Sequence, residues 1–497
     1  MVILLIGALA VPAVTGTALI LSGRGPRTPA EGDANLLGLA ASVATAALVV
    51  AAVITRPVVD QPWLPSLGVR LQLAVDGISA PLLLLTAALG IAVVVHARSH
   101  PAHGGSPTTF YGCLQLVELG ALATFFARDA VIFYVAFEVV LVPMWVLISR
   151  YGDSRDLAAR ADASGRFVLY TVFGSTLMLI GILFLVQASG TANLDALAAA
   201  HGAGLARHTQ IVIAALLLVG MGIKIPVWPL HTWLPPAHTI APTAGSVMLA
   251  AVLLKMGTYG VVRLAIAPLP LGFGALAPAF AVVGVVGIIW GGLACLVEND
   301  LKRLIAYSSV THMGFVVLGL SSGTTVGLQA ALFANIAHGV VSALLFFLVG
   351  GLKERWGSAD LATARAALRE VSPRLGIALV VGFAASLGLP GLVGFWGEFL
   401  AMYSAWSPAP DRPQRLMRVL VVVAVLGTGV AAAYSLRVLR LIWSGDRITP
   451  AHQDARGGEW SVLAVLIAAV LILGVAPGLV LNSTSEDVAA ITMEVSR

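Results

Sequence analysis

The chain alternates between long apolar runs and short polar joints. Runs of roughly 20 residues rich in Val, Leu, Ile, Ala and Gly recur from end to end, and most charged residues collect between them. Barrel strands would alternate apolar and polar positions over about 10 residues. About 20 continuous apolar residues instead suit a helix crossing some 30 Å of hydrocarbon. The pattern predicts an all-α polytopic membrane protein with about 14 transmembrane helices. They cover residues 2–22, 35–55, 77–98, 109–127, 129–150, 164–187, 209–234, 243–266, 275–297, 300–320, 325–354, 373–406, 414–443 and 459–482. The opening run, MVILLIGALAV, has no basic residue before it, so it reads as an uncleaved first helix. No joint is long enough for a soluble domain.

Composition agrees with this reading. The 497 residues are 59% hydrophobic and 11% charged, against about 25% charged in soluble domains. The net charge of +5 is then a matter of topology rather than of nucleic acid. With the N-terminus outside, 18 Lys and Arg fall on the cytoplasmic side and 9 outside. The positive-inside rule therefore predicts both termini on the outer face. Cys113 and Cys295 stand singly in apolar runs, which excludes a cysteine-ligated iron–sulfur cluster or a CxxC redox pair on this chain. No span leads into a Gly-rich nucleotide loop. The 52 glycines, spread through the spans, read mostly as close helix packing. No cofactor or metal is expected on this chain.

Of 29 Lys and Arg, two remain inside spans: Lys224 and Lys255. Lys224 lies 15 residues into its span, about 22 Å along a helix. Lys255 is near the middle of the eighth span, Glu138 is central in the fifth and His338 in the eleventh. His312 lies in the tenth, Glu398 in the twelfth and Glu118 in the fourth. A central charge costs about 2.5–3.5 kcal/mol on insertion scales. An ion pair pinning two helices accounts for Glu138 and Lys224 taken alone. It does not account for the set, because a packed apolar pair is usually as stable as a buried ion pair. Intramembrane ionisable groups mark proton and ion paths, and the set predicts one. A carboxylate beside a desolvated lysine can control whether the lysine keeps its proton. His312 serves equally well as a satisfied core polar group, and Glu118 has no evident partner.

Pro226 and Pro229 interrupt the seventh span, and Pro390 with Gly388, Gly391 and Gly394 interrupts the twelfth. Broken helices at membrane depth occur where protein shields them or a wet cavity is lined. Each break here has an ionisable residue beside it, Lys224 and Glu398. Paired breaks predict two inverted five-helix repeats, spans 4–8 and 9–13, with discontinuous helices 7 and 12. The corresponding divisions are 1–108, 109–266, 275–443 and 444–497.

The stretch KIPVWPLHTWLPPAHTIAPTAGSVMLAAVLLKMGTYG, with LAVDGISAPLLLLT at 73–86, DLKRLIAYSSVTHMGF at 300–315 and GLPGLVGFWGEF at 388–399, resembles the antiporter-like membrane subunits of proton-pumping NADH:quinone oxidoreductase, respiratory complex I. Glutamate at 398, where sister subunits carry lysine, resembles the M-type branch. The resemblance implies a proton path of Glu138, Lys224, Lys255, His312, His338 and Glu398. In it Glu138 pairs with Lys224, Lys255 is the central relay, and Glu398 ends the second half-channel. It also implies sister antiporter-like subunits as neighbours, and FMN, iron–sulfur clusters and quinone only in partner subunits. The bacterial cytoplasmic membrane is the implied location. Pro236 and Ile240 depart from the family, which usually has an acidic residue at the first place and a polar or acidic one at the second. An acid near that end of span 7 is therefore expected to be missing. His231 and His238 match the motif, as backbone caps or as proton carriers. Two other functions compete: a subunit of a multisubunit Na⁺/H⁺ antiporter, and a scaffold whose polar residues only hold helices.

Overall fold

The computed structural model describes residues 2–23, 31–64, 69–101, 103–361, 367–445 and 453–493. Arg24, Arg27, Arg365, Arg447 and Arg497 of the charge count lie outside them. Among the described residues, 13 helices are long and apolar enough to cross a membrane. The twelfth predicted span is present as two 14-residue helices, α17 (Pro373–Ser386) and α18 (Val393–Trp406), with a break between them. The fourteen predicted segments are thus all helical, including the two discontinuous ones.

Burial sorts the spans into centre and rim. The apolar window of the eleventh, α15 (Thr325–Trp356), is entirely covered by protein, whereas that of the first, α1 (Val2–Ser22), is 28% covered. α15 packs on α14 (Leu301–Ser321) and α18, and α14 packs on α13 (Pro270–Val297). The polar side chains of the central helices therefore meet other helices rather than lipid. Two contacts need glycine. Gly284 of α13 and Gly314 of α14 face each other closely enough that a Cβ on Gly284 would lie 3.0 Å from the Gly314 carbonyl oxygen. Gly174 of α7 (Leu157–Ser189) is placed likewise, 2.9 Å from the carbonyl oxygen of Gly220 in α9 (Arg207–Lys224). Small residues let backbones approach this way in membranes.

Three features were not anticipated. Residues 56–76 hold a hairpin, β1 (Val59–Leu64) against β2 (Val69–Leu73), antiparallel with Val59 opposite Leu73 and an irregularity between Pro62 and Leu64. The fold is therefore not wholly α. Alternation of Val69, Leu71 and Leu73 carried that signal, too short to stand out between two long spans. The fifth span is two helices, α5 (Ala130–Val139) and α6 (Leu141–Tyr151). Pro143 has no N–H to offer the carbonyl four residues back, so the helix resets just after Glu138. The fourteenth span, expected over 459–482, ends at Val475 as α20 (Gly457–Val475). Pro477 separates it from α21 (Gly478–Met493), whose Asp487 accepts a hydrogen bond from Gly77 N at 2.6 Å.

Several basic residues counted as loop charges are buried. Arg128 and Arg263 converge on Asp76, in the turn after β2: Arg128 Nη2 lies 2.8 Å from Asp76 Oδ2, and Arg263 bonds the same oxygen. Burial opposes ionisation of Asp76, but the Arg263 and Arg128 guanidiniums outweigh it and hold the carboxyl well below the usual range. Arg263 is near the C-terminal end of the eighth span and also lies over the Tyr259 ring.

Candidate proton-conducting site

The seventh span stops at Lys224, the last residue of α9. Pro226 cannot donate to the turn before it, and the chain continues irregularly to α10 (Leu234–Ile240). The carbonyl of Ile223, freed by the break, accepts from the Trp233 indole at 3.0 Å. Lys224 is buried, and its Nζ lies 4.8 Å from the centre of the Phe137 ring. Glu138 is half-buried one residue further on, with Ser175 beside its carboxyl. Each is the charge that acts on the other, yet they do not form the expected direct pair. Lys224 has no carboxylate within the 4.0 Å ion-pair distance among the described residues. The Phe137 face takes the ammonium instead, and Ser175 lies beside the carboxylate.

The eighth span is not a regular α-helix. Leu249–Leu253 and Val261–Ile266 are π-helical on either side of α12 (Leu254–Gly260). Such widened turns leave carbonyls with spare capacity and recur at functional sites. Here the Ala250 carbonyl accepts from Lys255 Nζ at 2.7 Å, and the same Nζ contacts Nδ1 of His338. When Lys255 is an ammonium, which can only donate, His338 Nδ1 accepts from it and the ring proton sits on Nε2, which has no other partner among the described residues. The His338 and His312 ring centres are 5.7 Å apart. His312 Nδ1 donates to Glu398 Oε1 at 2.7 Å, and its Nε2 accepts from the Ser386 hydroxyl at 3.0 Å. A cavity of about 20 Å³ lies among His312, His338, Ser386 and Glu398, enough for one water. Four of the six expected residues thus form one row through three central helices and the broken twelfth span.

The break in that twelfth span sets the position of Glu398. Gly388 (φ 74°) and Gly391 (φ 88°) adopt left-handed backbone, which favours glycine. Gly394 lies against the Ala385 carbonyl oxygen, so an added Cβ would strike backbone that cannot swing away. We predict that Gly394→Ala pushes α18 from α17 and lowers proton pumping severalfold at normal chain levels. Pumping in sealed vesicles reads this, and an unchanged rate would contradict it.

Sequence reasoning missed Lys302, Asp153, Ser386 and Tyr434 around this row, and reached His238 only through its motif. Lys302, counted as a loop charge, is buried in the first turn of α14 and donates to the Ala241 carbonyl at 2.7 Å. His238 is fully buried with neither ring nitrogen hydrogen-bonded, and stacks on Phe346. It feels the charges of Lys302 and Lys255 and in turn acts on His338. A cavity of about 310 Å³ opens beside them, lined by Asp153, Lys302, Lys353 and Glu354. Ser386 and the buried Tyr434 adjoin Glu398. Only DLKR beside a span hinted at Lys302, and nothing singled out Tyr434. The acid expected to be missing near Pro236 is supplied from elsewhere. Asp153 N donates to the Ile240 carbonyl at 2.8 Å, and its carboxylate meets Lys353 Nζ at 2.8 Å. A hydrogen bond from Arg155, with Lys353 close by, holds the Asp153 carboxyl well below its ordinary range. Glu118 stands apart from the row. Its Oε2 accepts from Ser42 at 3.3 Å, and a Cβ on Gly90 would strike it.

Comparison with known proteins gives this arrangement a family. Residues 127–426, which hold all six candidates, match the family described as NADH:quinone oxidoreductase/Mrp antiporter, transmembrane. The NADH-quinone oxidoreductase subunit M of Pseudomonas aeruginosa is 35% identical over 429 residues, covering 84% of this chain and 82% of that one. This chain belongs to that family. NAD(P)H-quinone oxidoreductase chain 4 3 of Trichormus variabilis is 34% identical over 423 residues, covering 84% of this chain and 77% of that one. The M-type branch inferred from Glu398 agrees with these relatives. A chain of respiratory complex I from Thermus thermophilus superposes with a TM-score of 0.85 at 29% identity, covering 98% and 99% of the two chains. A chain of the Mrp complex from a Dietzia species superposes at 0.84 with 24% identity, covering 99% of this chain and 52% of that one. At that identity it shows the shared antiporter-like fold and no more.

Proposed function

We propose that this chain is a proton-translocating membrane-arm subunit of a respiratory NADH:quinone oxidoreductase. The observation that carries the reading is the row Lys255–His338–His312–Glu398 inside the most buried helices, with room for one water between the two imidazoles. A proton passing from Lys255 Nζ to His338 Nδ1 releases another from Nε2 toward His312. From there Glu398 takes it up and discharges it at the far end. An imidazole relays protons in this way because its two nitrogens exchange donor and acceptor roles. Lys224, governed by Glu138, loads Lys255 through water. Asp153 and Lys302 take protons from the cavity that they border, and His238, between Lys302 and His338, passes them to the row. The two broken spans belong to inverted repeats 4–8 and 9–13, which places one half-path in each. Driving one charge against 100 mV takes about 2.3 kcal/mol, supplied by electron transfer in partner chains that carry FMN, iron–sulfur clusters and quinone. Sister antiporter-like subunits flank the chain in a bacterial cytoplasmic membrane, with both termini outside.

A Na⁺/H⁺ antiporter subunit is the second reading, since the matching family description names Mrp antiporters beside quinone oxidoreductases. The relatives at 34–35% identity are quinone oxidoreductase chains, which supports the first. Glu138→Gln tests it. With assembly normal, pumping in sealed vesicles and coupled NADH oxidation both fall about 10²-fold or more, the size of a lost general acid–base group at its low end. Persistence of both would make the buried charges structural.

A further inference from the structure

A second group of chemistry-bearing side chains lies outside the proton row, at the rim of the 310 Å³ cavity. His96 and His100 are one turn apart on α3 (Ala80–Ser99) and its C-cap, with rings stacked at 4.1 Å. Glu459 arrives from α20 and Glu354 from α15. We infer that His96, His100 and Glu459, with Glu354 as a fourth donor, form a binding site for a divalent transition ion of the zinc class. The ligand atoms of His96, His100 and Glu459 all lie within 4.8 Å of one another. His100 Nε2 is 3.5 Å from Glu459 Oε1 and 3.6 Å from Glu354 Oε2. Those separations are long for hydrogen bonds. They match the edge of a tetrahedron, about 3.3–3.4 Å, whose metal–ligand bonds are about 2.0–2.1 Å.

An independent observation points the same way. His96 is buried and its Nε2 has no hydrogen-bond partner, a costly arrangement for a polar atom away from water. Two histidines at i and i+4 on one helical face with a carboxylate are a recurrent zinc donor set, and imidazole with carboxylate suits zinc-class ions over calcium or magnesium. Arg355 opposes the site: its guanidinium holds both oxygens of Glu459, at 2.7 and 2.6 Å. Each carboxylate oxygen can accept more than one partner, and Glu354 adds a second negative charge. Glu354 faces Lys302 as well as Arg355, so an incoming cation competes with both for the carboxylates. Access is open, since the Glu354 side chain is 48% exposed and the cavity reaches His96 and His100.

The test is zinc uptake by the complete complex in its native membrane, stripped with chelator and titrated with Zn²⁺ alone. The parent takes up one more tight equivalent than a His96→Gln/His100→Gln variant, whose affinity at this site falls at least tenfold. Equal uptake by both would overturn the inference. A measurement on the unaltered chain guards against a variant that fails to assemble. X-ray absorption of the added zinc shows two imidazole nitrogens with one or two carboxylate oxygens. A shell with one imidazole or none would overturn the inference equally.

Discussion

Lys255→Met abolishes proton pumping and coupled NADH oxidation, each by about 10²-fold or more, while the complex still assembles. The magnitude is that of removing a positioned proton-transfer group. Methionine fills the space of the lysine stem without the ammonium, so the α15 packing around it survives. What is lost is the donor to His338 Nδ1 and to the Ala250 carbonyl. His338 then has no proton source on that side, and the row to Glu398 begins at a dead end. Lys255→Arg fails as well, because a guanidinium keeps its proton. The scaffold reading predicts the opposite for methionine. A buried cation replaced by a packed apolar group of similar volume is often neutral or stabilising. Dye-monitored acidification of sealed vesicles, run beside NADH oxidation, separates the two. Full pumping by Lys255→Met would refute the relay.

The residues of the proposed relay were legible in the sequence because hydrocarbon makes charge conspicuous. Lys255, Lys224, Glu138 and Glu398 stood out as exceptions inside apolar runs, and Pro226 and Pro390 marked the two broken helices. The pairing was not legible. Glu138 and Lys224 act on each other as charges without an ion pair between them, and the ammonium lies over the Phe137 ring. No local pattern reports such an arrangement. Lys302 and Arg263 were hidden for the opposite reason. They lie at span ends, where a basic residue normally reads as a topology signal, and only the packing of α14 and the eighth span shows them buried. The π-helical turns around Lys255 have no sequence signature at all. They arise from how the eighth span packs on α9 and α15. Nothing at Pro236 reports Asp153, which reaches Ile240 from more than 80 residues away in the chain.

Asp76→Asn carries the largest expected effect on stability, about 3–5 kcal/mol, the cost of leaving a buried charge without its partner. Asparagine keeps the side-chain shape and can still accept from Ser79 N, as Asp76 Oδ1 does at 2.9 Å. It cannot neutralise Arg128 and Arg263. Arg128 retains Asp195 at 3.3 Å, so the loss falls mainly on Arg263. That residue sits in the π-helical turn eight positions after Lys255, and releasing it loosens the helix that aims the relay. Acid does not mimic the substitution near neutrality. The Asp76 carboxyl titrates well below its unfolded value of about 3.9, so its contribution is fully present above that value. It is lost only as pH falls toward the native one. Denaturant unfolding of the complex in detergent measures the loss. Arg263→Gln added to Asp76→Asn should return a large part of it, because the unpaired cation goes with its former partner. If Asp76→Asn alone costs under about 0.5 kcal/mol, the range of an ordinary surface change, the triad is not what holds the hairpin to the relay helix.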